Sequence, residues 1–156
     1  MRLIETLPMN YSLGKYESWK NQWSDKSLLD FSVYISEEIH PEDFLISSRL
    51  FFPDFIEVND CVFLSGRYVE SNYNDWMEKL KSKSSVESIL NHVNIYDIFS
   101  GKGEEVPDSI FIQIANVLKF SWEVSLAKCF LNKRFVVEAS FSDMEYGPTL
   151  TFYQDR

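Results

Sequence analysis

The chain has few of the residues on which most enzyme and metal chemistry depends. Its 156 residues include only two histidines and two cysteines. The soft metal ligands are therefore His40, Cys61, His92 and Cys129, separated by 21, 31 and 37 residues. Zinc sites gather their ligands in close pairs, so this spacing argues against one. There is no D-x-D-x-D-G calcium loop, no G-x-S-x-G nucleophile elbow, and Gly101-Lys102-Gly103 is too short to cradle a phosphate. No cofactor and no metal are expected. Cys61 and Cys129 lie in the apolar contexts C-V-F-L and K-C-F-L without a CxxC spacing. Both are expected to be reduced core residues, Cys129 on the buried face of a long helix.

Other absences narrow the class further. No stretch approaches the roughly 20 consecutive apolar residues of a membrane span, and the first ten residues lack the basic and apolar regions of a signal peptide. A cytoplasmic protein is the expectation. There is no internal repeat, low-complexity tract or interdomain linker, so residues 1–156 are expected to fold as a single domain. Five glycines and five prolines leave little room for a disordered tail.

Aromatic rings and negative charge are abundant. Phe, Tyr and Trp make up 16% of the chain, and the formal charge is -9. That charge is unevenly distributed: residues 24–66 carry nine acids against Lys26 and Arg49, a net -7, while 1–23 sum to +1, 67–105 to -2 and 106–156 to -1. Such a field disfavours nucleic acid and anionic membranes and steers a basic protein toward this region. A plain solubilising surface explains the same charge.

Periodicity predicts an α+β fold. From 108 to 131 apolar residues recur at three- and four-residue steps, a long helix with Gln113, Asn116, Lys119 and Glu123 on its polar side. From 134 to 142 and 149 to 154 the period changes to two, a C-terminal hairpin closed by Gly147-Pro148. Pro41-Glu42-Asp43 opens a helix to Phe51, with proline and acids where a helix start favours them. Residues 55–58 and 61–65 flank the turn pair Asn59-Asp60 as a second hairpin. Helices are also expected over 74–83 and after Ser84, whose hydroxyl and Glu87 form a capping-box pattern. Residues 24–39 fit a helix capped by Ser24 or Asp25 better than a strand. Leu3, Ile4 and Leu7 suggest a short edge strand ended by Pro8, and Tyr11, Tyr16, Trp19 and Trp23 a loop or short helix laid over the core.

Two constellations are candidates for function. Acids interleaved with aromatics place rings at an interface centre and carboxylates around its rim: Tyr34 and Phe55 among Glu37, Glu38, Glu42, Asp43, Asp54, Glu57 and Asp60. The alternative is His92 with Tyr96 and Asp97, one turn apart if a helix continues through them, an orientation suited to a small hydrolase or nucleotide-processing site. His40 is explained by its place at a helix boundary.

The strings L-F-F-P at 50–53, N-H-V-N-I-Y-D-I-F at 91–99 and Y-G-P-T-L-T-F-Y-Q at 146–154 resemble those of small uncharacterised bacterial proteins. The acidity is similar to that of immunity proteins of bacterial toxin systems. The resemblance carries no residue roles. It implies a non-enzymatic binding module that neutralises a basic partner, such as a toxin domain. A homo-oligomeric structural or adaptor protein is the third reading, suggested by the excess of aromatic residues.

Overall fold

The computed structural model describes all residues except 1, 3, 8–10, 102–105 and 143–145. The chain divides into two compact units, 1–49 and 50–156.

The second unit contains the sheets. β1 (Phe55–Val58) and β2 (Cys61–Leu64) form an antiparallel hairpin. Asn59 and Asp60 join them with φ of 50° and 69°, the left-handed pair that a two-residue hairpin turn requires. β3 (Val93–Asn94), β5 (Thr149–Gln154) and β4 (Phe135–Ser140) form a second antiparallel sheet in the order β3-β5-β4. The C-terminal hairpin is therefore present, with a third strand on its far side. The expected loop residues 143–145 lie outside the described residues.

α7 (Asp108–Cys129) packs across this second sheet. Phe111, Ala115, Leu118, Trp122 and Leu126 meet Val137, Leu150 and Phe152 in one buried cluster. At 22 residues, α7 is long and apolar enough to span a membrane by length and composition alone, contrary to the expectation that no segment would be. In this fold it is the central helix of the core. Its outer face also carries exposed Phe120 and Val124, so the apolar stripe is wider than the surface that covers it. Cys129 is exposed, not buried as expected, because it is the last residue of α7 and the chain turns away there. Cys61 is fully buried, and burial pushes its thiol pKa up.

α4 (Glu70–Leu80) and α5 (Lys83–Leu90) lie beside a second cluster of Cys61, Phe63, Tyr73 and Val86. α4 starts four residues earlier than periodicity suggested and stops where Lys81 turns left-handed at φ 51°. The capping box at Ser84 does not form. Ser82 caps α5 by accepting from Ser85 N–H, while Ser84 Oγ donates to the Gln154 carbonyl.

Glu87, freed from capping, is fully buried together with Asn91 one turn later. One Glu87 oxygen accepts from Val62 N–H at 2.8 Å and the other from Gln154 N–H at 2.9 Å. Asn91 accepts from Leu64 N–H at 2.9 Å and donates to the carbonyls of Val62 and Phe152 at 2.9 and 3.2 Å. Glu87 of α5 and Asn91 at its C-terminal cap thus take the place of the missing ladder between β2 and β5. They satisfy edge groups that burial would otherwise leave at a cost of about 1–3 kcal/mol each. β3 passes directly into the short α6 (Ile95–Ile98).

The first unit holds α1 (Gly14–Lys20), α2 (Phe31–Glu38) and most of α3 (Pro41–Phe51). α2 begins at Phe31, not near Ser24, because Asp30 is the residue that caps it, accepting from Ser32 and Val33 N–H at 2.8 and 3.0 Å. No strand forms at the described residues 4–7. Leu3 and Pro8 lie outside the described residues. Tyr16 and Trp19 of α1 and Tyr34 of α2 meet with ring centroids 5.2–5.8 Å apart, and Phe31 joins Tyr16 at 4.8 Å. Trp19 is the one buried side chain among the described residues of this unit.

Candidate functional site

The acidic and aromatic residues singled out by sequence fall in both units. Tyr34, Glu37, Glu38, Glu42 and Asp43 belong to the first, and Asp54, Phe55, Glu57 and Asp60 to the second.

In the second unit these residues serve the fold. Phe55 is half-buried and sits edge-on to Phe130 and Phe152 at 5.9 and 5.6 Å, a core ring and not an interface anchor. Asp60, at the hairpin turn, accepts from Lys133 and from Arg156 Nη1, the latter at 2.6 Å, with Lys83 Nζ 3.6 Å away. Glu57 pairs with Lys133 at 3.1 Å, and Arg156 also reaches the buried Glu87 at 3.2 Å. The hydrogen bonds from Lys133 and Arg156 hold the Asp60 carboxyl far below the usual carboxylate range. Three acids and three cations gathered in one cluster leave little net field to steer a partner. The cations lie 73 and 96 residues from Asp60 for Lys133 and Arg156, a separation that hides the pairing from sequence. Asp54 is exposed ahead of β1.

The first unit differs. Tyr34 is half-buried inside the small aromatic cluster, so it ties α2 to α1 instead of standing at an interface centre. Glu37, Glu38, Glu42 and Asp43 are exposed and make no ion pair or side-chain hydrogen bond with any described residue. Between Lys26 and Arg49 the chain carries five carboxylates and no lysine or arginine. Ile39 is extended before Pro41, and His40 Nδ1 accepts from Glu42 N–H at 3.2 Å. That bond starts α3 and accounts for His40.

Neither α2 nor α3 buries a residue. Phe44, Leu45 and Ile46 are 55%, 66% and 68% exposed, and Phe31 and Ile35 on α2 are exposed as well. The α3 helix was evident from sequence, but this apolar surface was not anticipated. The signal lay in three consecutive apolar residues: at 100° per residue they span about 200° of a helix, wider than one packing face.

His92, Tyr96 and Asp97 do not share a helix. α5 ends at Leu90 and β3 stands between His92 and Tyr96. The Tyr96 hydroxyl donates to Asp108 at 2.8 Å, which raises the tyrosine pKa, and Asp97 is exposed. The His92 carbonyl accepts from Arg67 at 2.8 Å. Tyr96 and Asp108 instead line a cleft of about 280 Å³ with Ile112, Phe141 and Pro148. A second groove of about 380 Å³ runs between α5 and the β4–β5 hairpin. Among the described residues, no three His, Cys, Asp or Glu side chains are grouped to hold a metal.

Comparison with protein-family models, with curated proteins and with solved structures finds no match for the chain.

Proposed function

We propose that the chain is a non-enzymatic intracellular binding protein that docks a basic protein through α2 and α3 of its first unit. The observation that carries this reading is the coincidence, on two consecutive helices without a buried residue, of exposed Phe44, Leu45 and Ile46 with four carboxylates that no cation of the described residues neutralises. Exposed apolar side chains rimmed by charge of one sign are the surface of an interaction site. Apolar contact would supply the affinity, and Glu37, Glu38, Glu42 and Asp43 the speed of association. A toxin with a basic active-site surface is the partner class that suits this chemistry, and covering that surface would neutralise it.

The test is retention of a binding partner from the source cell's lysate on three baits. These are the natural chain, a Glu37→Gln/Glu38→Gln/Glu42→Gln/Asp43→Asn variant, and a Phe44→Ser/Ile46→Ser variant. The reading expects one basic protein on the first bait. Its purified form should associate with the charge variant about tenfold more slowly at low salt and bind the apolar variant with a loss of about 2 kcal/mol or more. Retention of the same proteins, with unchanged rates, on all three baits would overturn it.

A further inference from the structure

We infer that the outer edge of β4 in the second unit is a docking strand for an extended peptide of alternating apolar and basic side chains, contributed by a partner protein. The ladder itself leaves this edge of β4 without a strand partner. Asp155 N–H donates to the Arg134 carbonyl at 3.0 Å. In an antiparallel pair hydrogen-bonded and non-hydrogen-bonded positions alternate, so Val136, Glu138 and Ser140 exchange bonds with Tyr153, Thr151 and Thr149 of β5. Phe135, Val137 and Ala139 then direct their N–H and carbonyl groups away from β5. Among the described residues nothing bonds to these groups, since β4 has β5 as its one strand partner.

Three other strand edges are treated differently. β2 and the far side of β5 are closed by the Glu87 and Asn91 side chains, and β1 is four residues long with the Glu57–Lys133 ion pair beside it. β4 has six residues, F-V-V-E-A-S, with no proline, no lysine and no bulge in its register. Proline, lysine and bulges guard an edge against strand addition, and β4 has none of these; its one charged residue is Glu138. Outward donors and acceptors at strand spacing are complemented by one chemistry, another extended backbone.

The groove beside the edge specifies the side chains. Its walls are Ser85, Ser88 and Ile89 of α5 on one side and Glu138 and Tyr153 of the hairpin on the other. Tyr153 donates to one Glu138 oxygen at 2.7 Å, and the Glu138 side chain is exposed. A peptide paired with β4 alternates its side chains between this groove and the opposite sheet face, where Phe135, Val137 and Ala139 pack. Basic residues fit the Glu138 side and apolar residues the other. Like charge disfavours a second copy as the occupant, because two chains of charge -9 repel. The inference concerns the second unit and stands whether or not α2 and α3 bind a partner.

The test uses a display library of unstructured ten-residue peptides selected on the full chain, with the best binder resynthesised. Ala139→Pro removes an outward N–H while leaving the bonds to β5 in place, so peptide affinity should fall about tenfold in that variant. Amide exchange on the natural chain reads the same contact without a mutation. Phe135 and Ala139, each partly exposed, should exchange quickly alone and about tenfold or more slowly with peptide, while Val136 and Glu138 are protected in both states. Failure to enrich any peptide over the Ala139→Pro chain, or protection that appears elsewhere, would overturn the inference. So would protection of the Phe135 and Ala139 amides without peptide in a species of twice the mass, which would make a second copy the occupant.

Discussion

The two units of this chain use their acidic residues in opposite ways. In the second unit, carboxylates are built into the fold. Glu87 holds two strand edges, Asp60 and Glu57 hold Lys133 and Arg156 across long sequence separations, and Asp108 and Glu138 each accept from a tyrosine. In the first unit Asp30 caps α2, but Glu37, Glu38, Glu42 and Asp43 touch no described partner. Apolar burial among the described residues divides the same way, with sixteen buried apolar side chains in the second unit and Trp19 in the first. An acidic stretch that is continuous in sequence is therefore two things in the structure: a scaffold and an unsatisfied surface. Stability belongs to the one, and the proposed recognition rests on the other.

The contrast can be broken by mutation, most severely at Glu87. Glu87→Ala leaves Val62 and Gln154 N–H without their acceptor in a closed site and strips Arg156 of one partner. Guanidinium unfolding should show a loss of about 3–5 kcal/mol. Gly147→Ala comes next. Gly147 has φ +82°, and a Cβ there would lie 2.4 Å from Tyr96 Cδ2, whose ring is held against Phe111 and by the Asp108 bond. A loss of about 2 kcal/mol is expected by the same measurement.

Asp60→Asn sharpens the contrast through pH. The folded state holds the Asp60 carboxyl below its ordinary pKa, so folding favours its ionised form. The stabilisation is complete above the unfolded value of about 3.9 and is lost as pH falls below it toward the folded value. At neutral pH the variant should melt lower than the natural chain. On acidification below about pH 4 the two melting curves should converge. A constant gap across that range would show that the ion pairs contribute nothing through titration.

Much of the architecture was legible in the residues because it is local. Period-two alternation marked the C-terminal hairpin, Pro41 and the two acids after it marked α3, and Asn59-Asp60 marked the tight turn. The errors arose where distant residues decide the outcome. Glu87 fits a capping box by spacing, yet the strand edges it serves come from residues 62 and 154. Phe55 reads as a ring beside acids, but its neighbours Phe130 and Phe152 are far along the chain. Tyr96 lies close to His92 in sequence, but β3 stands between them and the Tyr96 hydroxyl is turned to Asp108. For the surface, charge was legible and its neutralisation was not, since Lys133 and Arg156, which hydrogen-bond Asp60, come from the last quarter of the chain.

The smallest predicted effect tests the central claim most directly. Glu37, Glu38, Glu42 and Asp43 are each changed to the corresponding amide, alongside Asp60→Asn and Glu87→Gln, and the unfolding midpoints are compared at neutral pH and low salt. The four first-unit changes should shift stability by no more than about 0.5 kcal/mol, as expected of carboxylates without partners among the described residues. The two second-unit changes should lower it clearly. Comparable losses in both sets would mean that the first-unit acids also hold the fold, and would contradict the division between scaffold and unpaired surface.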